Sequence, residues 1–202
     1  MRRPKAILLV GPTGAGKSPL GDLLEARGLQ GRRCFHFDFG HLLRLHVGGA
    51  SGLLTEDEVA YVREALHEGA LLSDERFPIA GKILHHFIAR CGICAQDLIV
   101  LNGLPRDLRQ AERLDDIVDV EEVVELRCAP EVVLERIRKD AGGDRIERVD
   151  DDAASVRRRL ETFKRSTEPM LGHYRKCGVP IRALDVQGDT TAAHLWHQLN
   201  EG

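Results

Sequence analysis

Short, largely apolar runs alternate along the chain with longer segments whose apolar residues recur every three to four positions. Residues 5–10 form the clearest run, closed by Gly11-Pro12, and 98–101 and 120–126 repeat it. Residues 33–37 and 179–184 offer two further runs. Runs of this kind predict strands buried on both faces, as in a parallel sheet. Helical spacing is found over 20–24, 59–66, 83–88, 111–114, 132–137 and 156–163, and strands alternating with helices predict right-handed crossovers on one parallel sheet.

Two stretches exceed what one crossover needs. Residues 39–97 hold too many helical segments, which predicts a helical insertion between the second and third strands. The polar stretch 140–150, centred on Gly142-Gly143, predicts a small mobile flap before a helix begun by Asp150-Asp151-Asp152, carboxylates suited to a helix N-terminus. Without a repeat or a low-complexity linker, the chain reads as one domain over 1–202, with a core of 1–38, 98–139 and 151–202.

At 202 residues, 43% hydrophobic and 30% charged, the chain can bury a sizeable core. Its net charge of −3 removes a general nucleic-acid footprint, so any anion must be met locally. The apolar run that follows Arg2-Arg3-Pro4-Lys5 is too short for a signal sequence or a membrane span, which predicts a soluble, cytoplasmic protein. Five cysteines, at 34, 91, 94, 128 and 177, argue against a disulfide framework.

Candidate chemistry begins right after the first strand. Gly11-Pro-Thr-Gly14-Ala15-Gly16-Lys17-Ser18 fits G-x-x-x-x-G-K-[ST] at every required position. Glycines let successive N–H groups turn toward phosphate oxygens, and the following helix adds its N-terminal dipole. Lys17 is expected to reach the β- and γ-phosphates and Ser18 to ligate Mg²⁺. Pro19 fits the first helical turn, where its missing N–H costs nothing. Such a loop leaves open a GTPase, an ATPase motor or a small-molecule kinase.

Four blocks, in order, resemble the adenylate kinase family of nucleoside monophosphate kinases. His36-Phe-Asp-Phe39-Gly40-His-Leu-Leu-Arg44 is similar to H-x-S-T-G-D-L-L-R, and Gly69-Ala-Leu-Leu72-Ser-Asp-Glu75 to G-x-L-V-P-D-E. Asn102-Gly103-Leu-Pro-Arg106, continuing to Gln110-Ala-Glu112, resembles D-G-F-P-R-T-x-x-Q-A-E. Arg148-Val-Asp-Asp151, with Arg159 eleven residues after Arg148, resembles the lid pattern R-x-D-D…R.

The resemblance implies a three-layer α/β/α P-loop fold with a five-stranded parallel sheet, an acceptor-binding insertion over 39–97 and a short lid over 140–150. It implies Mg²⁺-dependent, reversible transfer of the ATP γ-phosphoryl to AMP or another nucleoside monophosphate by a monomer. Such transfer needs charge neutralisation and in-line positioning rather than covalent work by the protein. By the resemblance, Gly11, Gly14, Ala15, Gly16, Lys17, Ser18 and Gly188 belong to the ATP side. Phe39, Gly40, Arg44, Leu72, Gly103, Arg106 and Gln110 belong to the acceptor side. Lys17, Arg106, Arg148 and Arg159 are the implied catalytic cations, and one of Arg138, Lys139 and Arg145 is a further lid cation. Gln110 carries a donor and an acceptor suited to the edge of adenine. The lid contains no cysteine, so structural zinc is not expected.

Three departures define the alternatives. Asn102 stands where the family has an Asp that orients Mg²⁺-bound water, which removes a full charge beside the metal. Asp38 and Asp97 are the carboxylates available to compensate. Phe39 and His41 replace the family's Thr and Asp. These keep open a catalytically weakened nucleotide sensor and a kinase with a non-nucleotide acceptor. Elsewhere, Cys91-Gly-Ile-Cys94, His85-His86 and the His194/His197 pair lack the further ligands of a metal site, and Trp196 reads as an anchor for the last helix.

Overall fold

A computed structural model describes residues 3–48, 52–68, 70, 72–141, 143 and 153–201. Five strands form one parallel sheet: β1 (Lys5–Val10), β2 (Cys34–Asp38), β3 (Leu98–Asn102), β4 (Asp119–Arg127) and β5 (Ile181–Asp185). Their order is β2-β3-β1-β4-β5, so the chain passes from the central β1 to the edge strand β2, returns to β3 between them, and then crosses β1 to β4 and β5 on the other side. The helices are α1 (Lys17–Arg27), α2 (Phe39–Val47), α3 (Glu56–Glu68), α4 (Phe77–Cys91), α5 (Leu108–Leu114), α6 (Pro130–Arg138), α7 (Ala153–Lys176) and α8 (Ala192–Asn200).

The apolar runs are strands because both faces of the sheet are covered. Along β1, Ala6, Leu8 and Val10 join one core, with Ile79, Ile83, Ala111, Met170 and Tyr174 of α4, α5 and α7. Ile7 and Leu9 join the other, with Leu20 and Leu24 of α1 and Leu195 and Leu199 of α8. The result is three layers, and each fully buried Leu or Ile contributes roughly 1.5–3 kcal/mol of transfer free energy. β5 starts at Ile181 rather than 179 because Pro180 has no N–H for the ladder; its carbonyl accepts from Val123 N at 2.9 Å instead.

Between β2 and β3 lie α2, α3 and α4. The last packs on the sheet, where Phe87 meets Phe37 edge-on at 5.2 Å between centroids. Two strand ends define the site. β2 passes into α2 without a loop, because the Asp38 carboxylate Oδ1 accepts from His41 N at 2.9 Å and caps the helix. Asp38 is also the register partner of Asn102, the last residue of β3.

Candidate active site

The carboxyl ends of β1, β2 and β3 open into a cleft, where ligands of such sheets bind. The β1–α1 loop forms one wall. Gly14 and Gly16 take positive φ values of 78° and 95°, which turns the loop over the start of α1. No side chain caps that helix, so its first N–H groups are left to an anion. Lys17 Nζ folds back on the loop, donating to the carbonyls of Gly11 at 2.6 Å and Pro12 at 2.8 Å. The Thr13 hydroxyl oxygen is buried on the cleft wall without a hydrogen-bond partner among the described residues. A buried hydroxyl left so costs about 1–3 kcal/mol, which a bound phosphate would relieve.

Gly11, Gly14, Gly16, Lys17 and Ser18 line the cleft; Ala15 and Gly188 do not. The Ala15 side chain is fully buried in the core. Gly188 instead offers its carbonyl to Arg136.

Phe39, Gly40, Arg44, Leu72, Gly103, Arg106 and Gln110 line the same cleft. Phe39 stacks on Phe37 at 6.0 Å and is nearly fully buried, so it presents an apolar surface where the family has a hydroxyl. Gln110 is buried and set by two main-chain hydrogen bonds. Its Oε1 accepts from Arg106 N at 2.9 Å and its Nε2 donates to Leu72 O at 3.3 Å, leaving one lone pair and one N–H of the amide. Arg106 is exposed, with Nε donating to Gly103 O at 3.0 Å.

Arg159 of α7 reaches the cleft beside Thr162, Phe163 and Met170, whereas Arg157 and Arg158 are exposed. Only one of three consecutive helical residues can face inward. Arg148 and Arg145, with almost all of the 140–150 stretch, lie outside the described residues. Of the other lid candidates, Arg138 is exposed and Lys139 pairs with Glu135 at 2.6 Å.

Sequence reasoning missed Arg136. The residue is only 4% exposed; its guanidinium donates to the carbonyls of Gly14, Gln187, Gly188 and Thr190 at 2.9 to 3.3 Å, and it lines the cleft beside the phosphate loop. Its place three residues after the buried Val133 was the available signal.

The floor is a polar network. Ser18 Oγ donates to Asp38 Oδ2 at 2.7 Å, and Asn102 Nδ2 lies 2.8 Å from the same oxygen and 3.1 Å from Ser18 Oγ. Behind them, His36 Nδ1 meets Asp22 Oδ1 at 2.8 Å, and Nε2 stands 3.4 Å from Asn102 Nδ2. Gly21 makes room for that imidazole, since a Cβ there would lie 2.2 Å from the ring. Hydroxyl and carboxylate oxygens beside a phosphate loop are the hard donors that Mg²⁺ takes, so these residues fit the ion. Asp97 sits at the other end of β3, where Arg33 holds it in a two-pronged pair at 2.9 and 3.2 Å.

The adenylate kinase family model matches residues 9–179. The chain belongs to the adenylate kinase family. Among relatives named adenylate kinase, one from Synechococcus sp. (strain CC9311) is 31% identical, with 92% of each chain covered. One from Haloarcula marismortui is 28% identical over all of this chain and 97% of its own, and one from Xanthomonas campestris pv. campestris (strain B100) is 33% identical over 85% and 86%. In fold, the chain is similar to a gluconokinase from Sinorhizobium meliloti 1021, with a TM-score of 0.54, 18% identity, and coverage of 100% of this chain and 92% of that one. Family membership makes the protein an enzyme, a phosphotransferase of the nucleotide kinase class.

Away from the cleft, all five cysteines are free. Asp115, His173 and Cys177 cluster where α5 meets α7, with His173 Nε2 2.7 Å from Asp115 Oδ2. Among the described residues, no helix is long and apolar enough to cross a membrane.

Proposed function

We propose that the enzyme transfers the γ-phosphoryl of ATP, carried as its Mg²⁺ complex, reversibly to a nucleoside monophosphate, with AMP as the first acceptor. The observation that carries this reading is the gathering of Lys17, Arg44, Arg106, Arg159 and Gln110 around one cleft. The loop amides and Lys17 hold the donor's phosphates, and Arg136 braces that loop from the side of α6. Arg44 and Arg106 take the acceptor's phosphate. Arg159, with Arg148 from the lid, stabilises charge on the group in flight. Ser18 would hold Mg²⁺, which would supply neutralisation of the phosphates' charge there. Gln110 keeps a donor and an acceptor for a base edge, already oriented by its bonds to Arg106 and Leu72. We assign α2 and α3 to the acceptor arm and 140–150 to the lid that excludes water.

A second reading, a kinase with a non-nucleotide acceptor, draws on Phe39, whose ring makes that wall apolar. One coupled assay separates the two. ATP is offered AMP, CMP, UMP, GMP and the deoxynucleotides, alongside small polyhydroxy acceptors. Turnover with AMP above all others is expected; turnover with none of the nucleotides would overturn the proposal.

A further inference from the structure

We infer that the metal-site carboxylate of this enzyme has moved one strand over, from the end of β3 to the end of β2. Asp38 holds the hydrated Mg²⁺ of the nucleotide complex, and Asn102 is the neutral support that lets it do so. The inference rests on the nucleotide-kinase reading above and names the residue on which its metal depends.

Register is the first argument. Asp38 and Asn102 are paired residues at the carboxyl ends of adjacent parallel strands, so their side chains leave the sheet on the same face. Exchanging carboxylate and amide between these positions moves the charge by about one inter-strand spacing, roughly 4.8 Å, and keeps it at the mouth of the phosphate loop. Asp97, the other available carboxylate, is tied to Arg33 at the far end of β3.

Hydrogen bonding is the second. Ser18 donates its hydroxyl proton to Asp38, so of the oxygen's two lone pairs one faces Asn102 Nδ2 at 3.1 Å and the other stays available to a cation, while the carboxylate fixes its direction. Asp38 Oδ1 is occupied by His41 N, which locks the carboxylate's rotation and leaves Oδ2 facing Ser18 and the cleft. Asn102 gives an N–H to that same Oδ2.

The third argument explains the amide. A carboxylate at 102 would place a second negative oxygen about where Nδ2 stands, 2.8 Å from Asp38 Oδ2. Two carboxylates so close cannot both stay ionised without a cation between them. Imidazole completes the arrangement: Nδ1 of His36 donates to Asp22, which turns the Nε2 lone pair toward the amide N–H of Asn102. Restoring the family's Asp at 102 alone therefore harms the protein rather than repairing it.

The test uses ADP binding to the full chain by calorimetry, once in EDTA and once in Mg²⁺, so that the ratio of the two affinities isolates the metal's contribution. Asp38→Asn keeps the shape and the cap on α2. It should lower the Mg²⁺-dependent gain about tenfold or more, within the 10–100-fold typical of such partners, while ADP affinity in EDTA stays the same or rises. Asn102→Asp should lower the melting temperature in EDTA and recover on addition of Mg²⁺ and ADP. The exchange variant, Asp38→Asn with Asn102→Asp, should regain most of the Mg²⁺-dependent gain. An unchanged gain in Asp38→Asn, or Asn102→Asp melting like wild type in EDTA, overturns the inference and leaves the kinase reading standing. A wild-type chain that binds no ADP under either condition overturns both.

Discussion

Arg136 Nε donates to the Gly14 carbonyl at 3.0 Å, so the phosphate loop is fastened to α6 and, through the same guanidinium, to the 187–190 segment before α8. A planar fork can serve several carbonyls at once, whereas a lysine offers one compact charge. Arg136→Lys should therefore be only a partial rescue. Arg136→Ala strands several buried carbonyls and should cost about 3 kcal/mol or more, a fall of roughly 6–12 °C in Tm for a chain of this size. Thermal unfolding with and without ADP is the check, and the ADP affinity should fall with the stability.

Lys17 donates to the carbonyls of Gly11 and Pro12, which on the proposed reading it exchanges for phosphate oxygens when a donor binds. Lys17→Ala should remove most turnover without unfolding the chain; by taking the donor from the Gly11 and Pro12 carbonyls it should cost about 1–3 kcal/mol, a fall of roughly 2–12 °C in Tm. Circular dichroism melts together with the coupled assay read both quantities on one preparation.

The arginines divide by role. On the proposed reading Arg44 and Arg106 serve the acceptor and Arg159, on α7, the group in flight, so Arg44→Ala should chiefly raise KM for the acceptor. Arg159→Ala should depress kcat by roughly 10³-fold, since only interactions that strengthen in the transition state speed the chemical step. Single-turnover kinetics at saturating acceptor separates the two, and an Arg159 variant altered in KM alone would contradict its placement.

How much of this was legible beforehand follows from what each feature depends on. β1 and β3 could be read because residues buried on both faces leave unbroken apolar runs, whereas β2, β4 and β5, interrupted by His36, by Glu121, Glu122 and Glu125, and by Arg182, left a weaker pattern; the phosphate loop could be read because its glycines and lysine are adjacent in sequence. The partner of Asn102 could not be read. Whether Asp38 or Asp97 stands beside it depends on inter-strand register, which brings together positions sixty-four residues apart. Arg136 escaped notice for another reason: composition marks an arginine as a surface residue, and only the packing of α6 against the loop reveals four carbonyls waiting for it.

Asp97 gives a pH signature independent of catalysis. Hydrogen bonds from Arg33, outweighing the opposing effect of burial, hold its carboxyl below the usual carboxylate range, with a further contribution from Cys94 N at 2.8 Å. A carboxyl depressed on folding adds stability that is fully present above its unfolded value, near 3.9, and is lost as pH falls through the folded value. Asp97→Asn should cost about 1–2 kcal/mol at pH 7, toward the lower end because the Arg33 head group is largely exposed. Below about pH 3 that difference should shrink. Urea titrations of both proteins at pH 7 and pH 3 measure it.

Tyr174 is 1% exposed, packed in the core between α7 and the sheet, and its hydroxyl has no hydrogen-bond partner among the described residues. Burial, with the nearby Asp115 and Cys177 adding to it, pushes the phenol upward, so the group stays protonated and carries an unspent donor into an apolar site. A hydroxyl left unpaired in that setting costs about 1–3 kcal/mol relative to its hydrated state, whereas the ring itself contributes the burial. Tyr174→Phe keeps the ring and its edge contact with His173 at 5.2 Å, and removes only the unpaired oxygen. Opposing the gain is the small void left by one atom, worth less than the roughly 1 kcal/mol of a missing methyl-sized group. The balance favours the variant, so its melting temperature should be unchanged or higher by about 2–4 °C, with the denaturant m-value unaltered. A loss of about 1 kcal/mol or more would mean that the hydroxyl is bonded through a buried water, and the Tyr would then be a structural requirement of the α7 packing rather than a tolerated one.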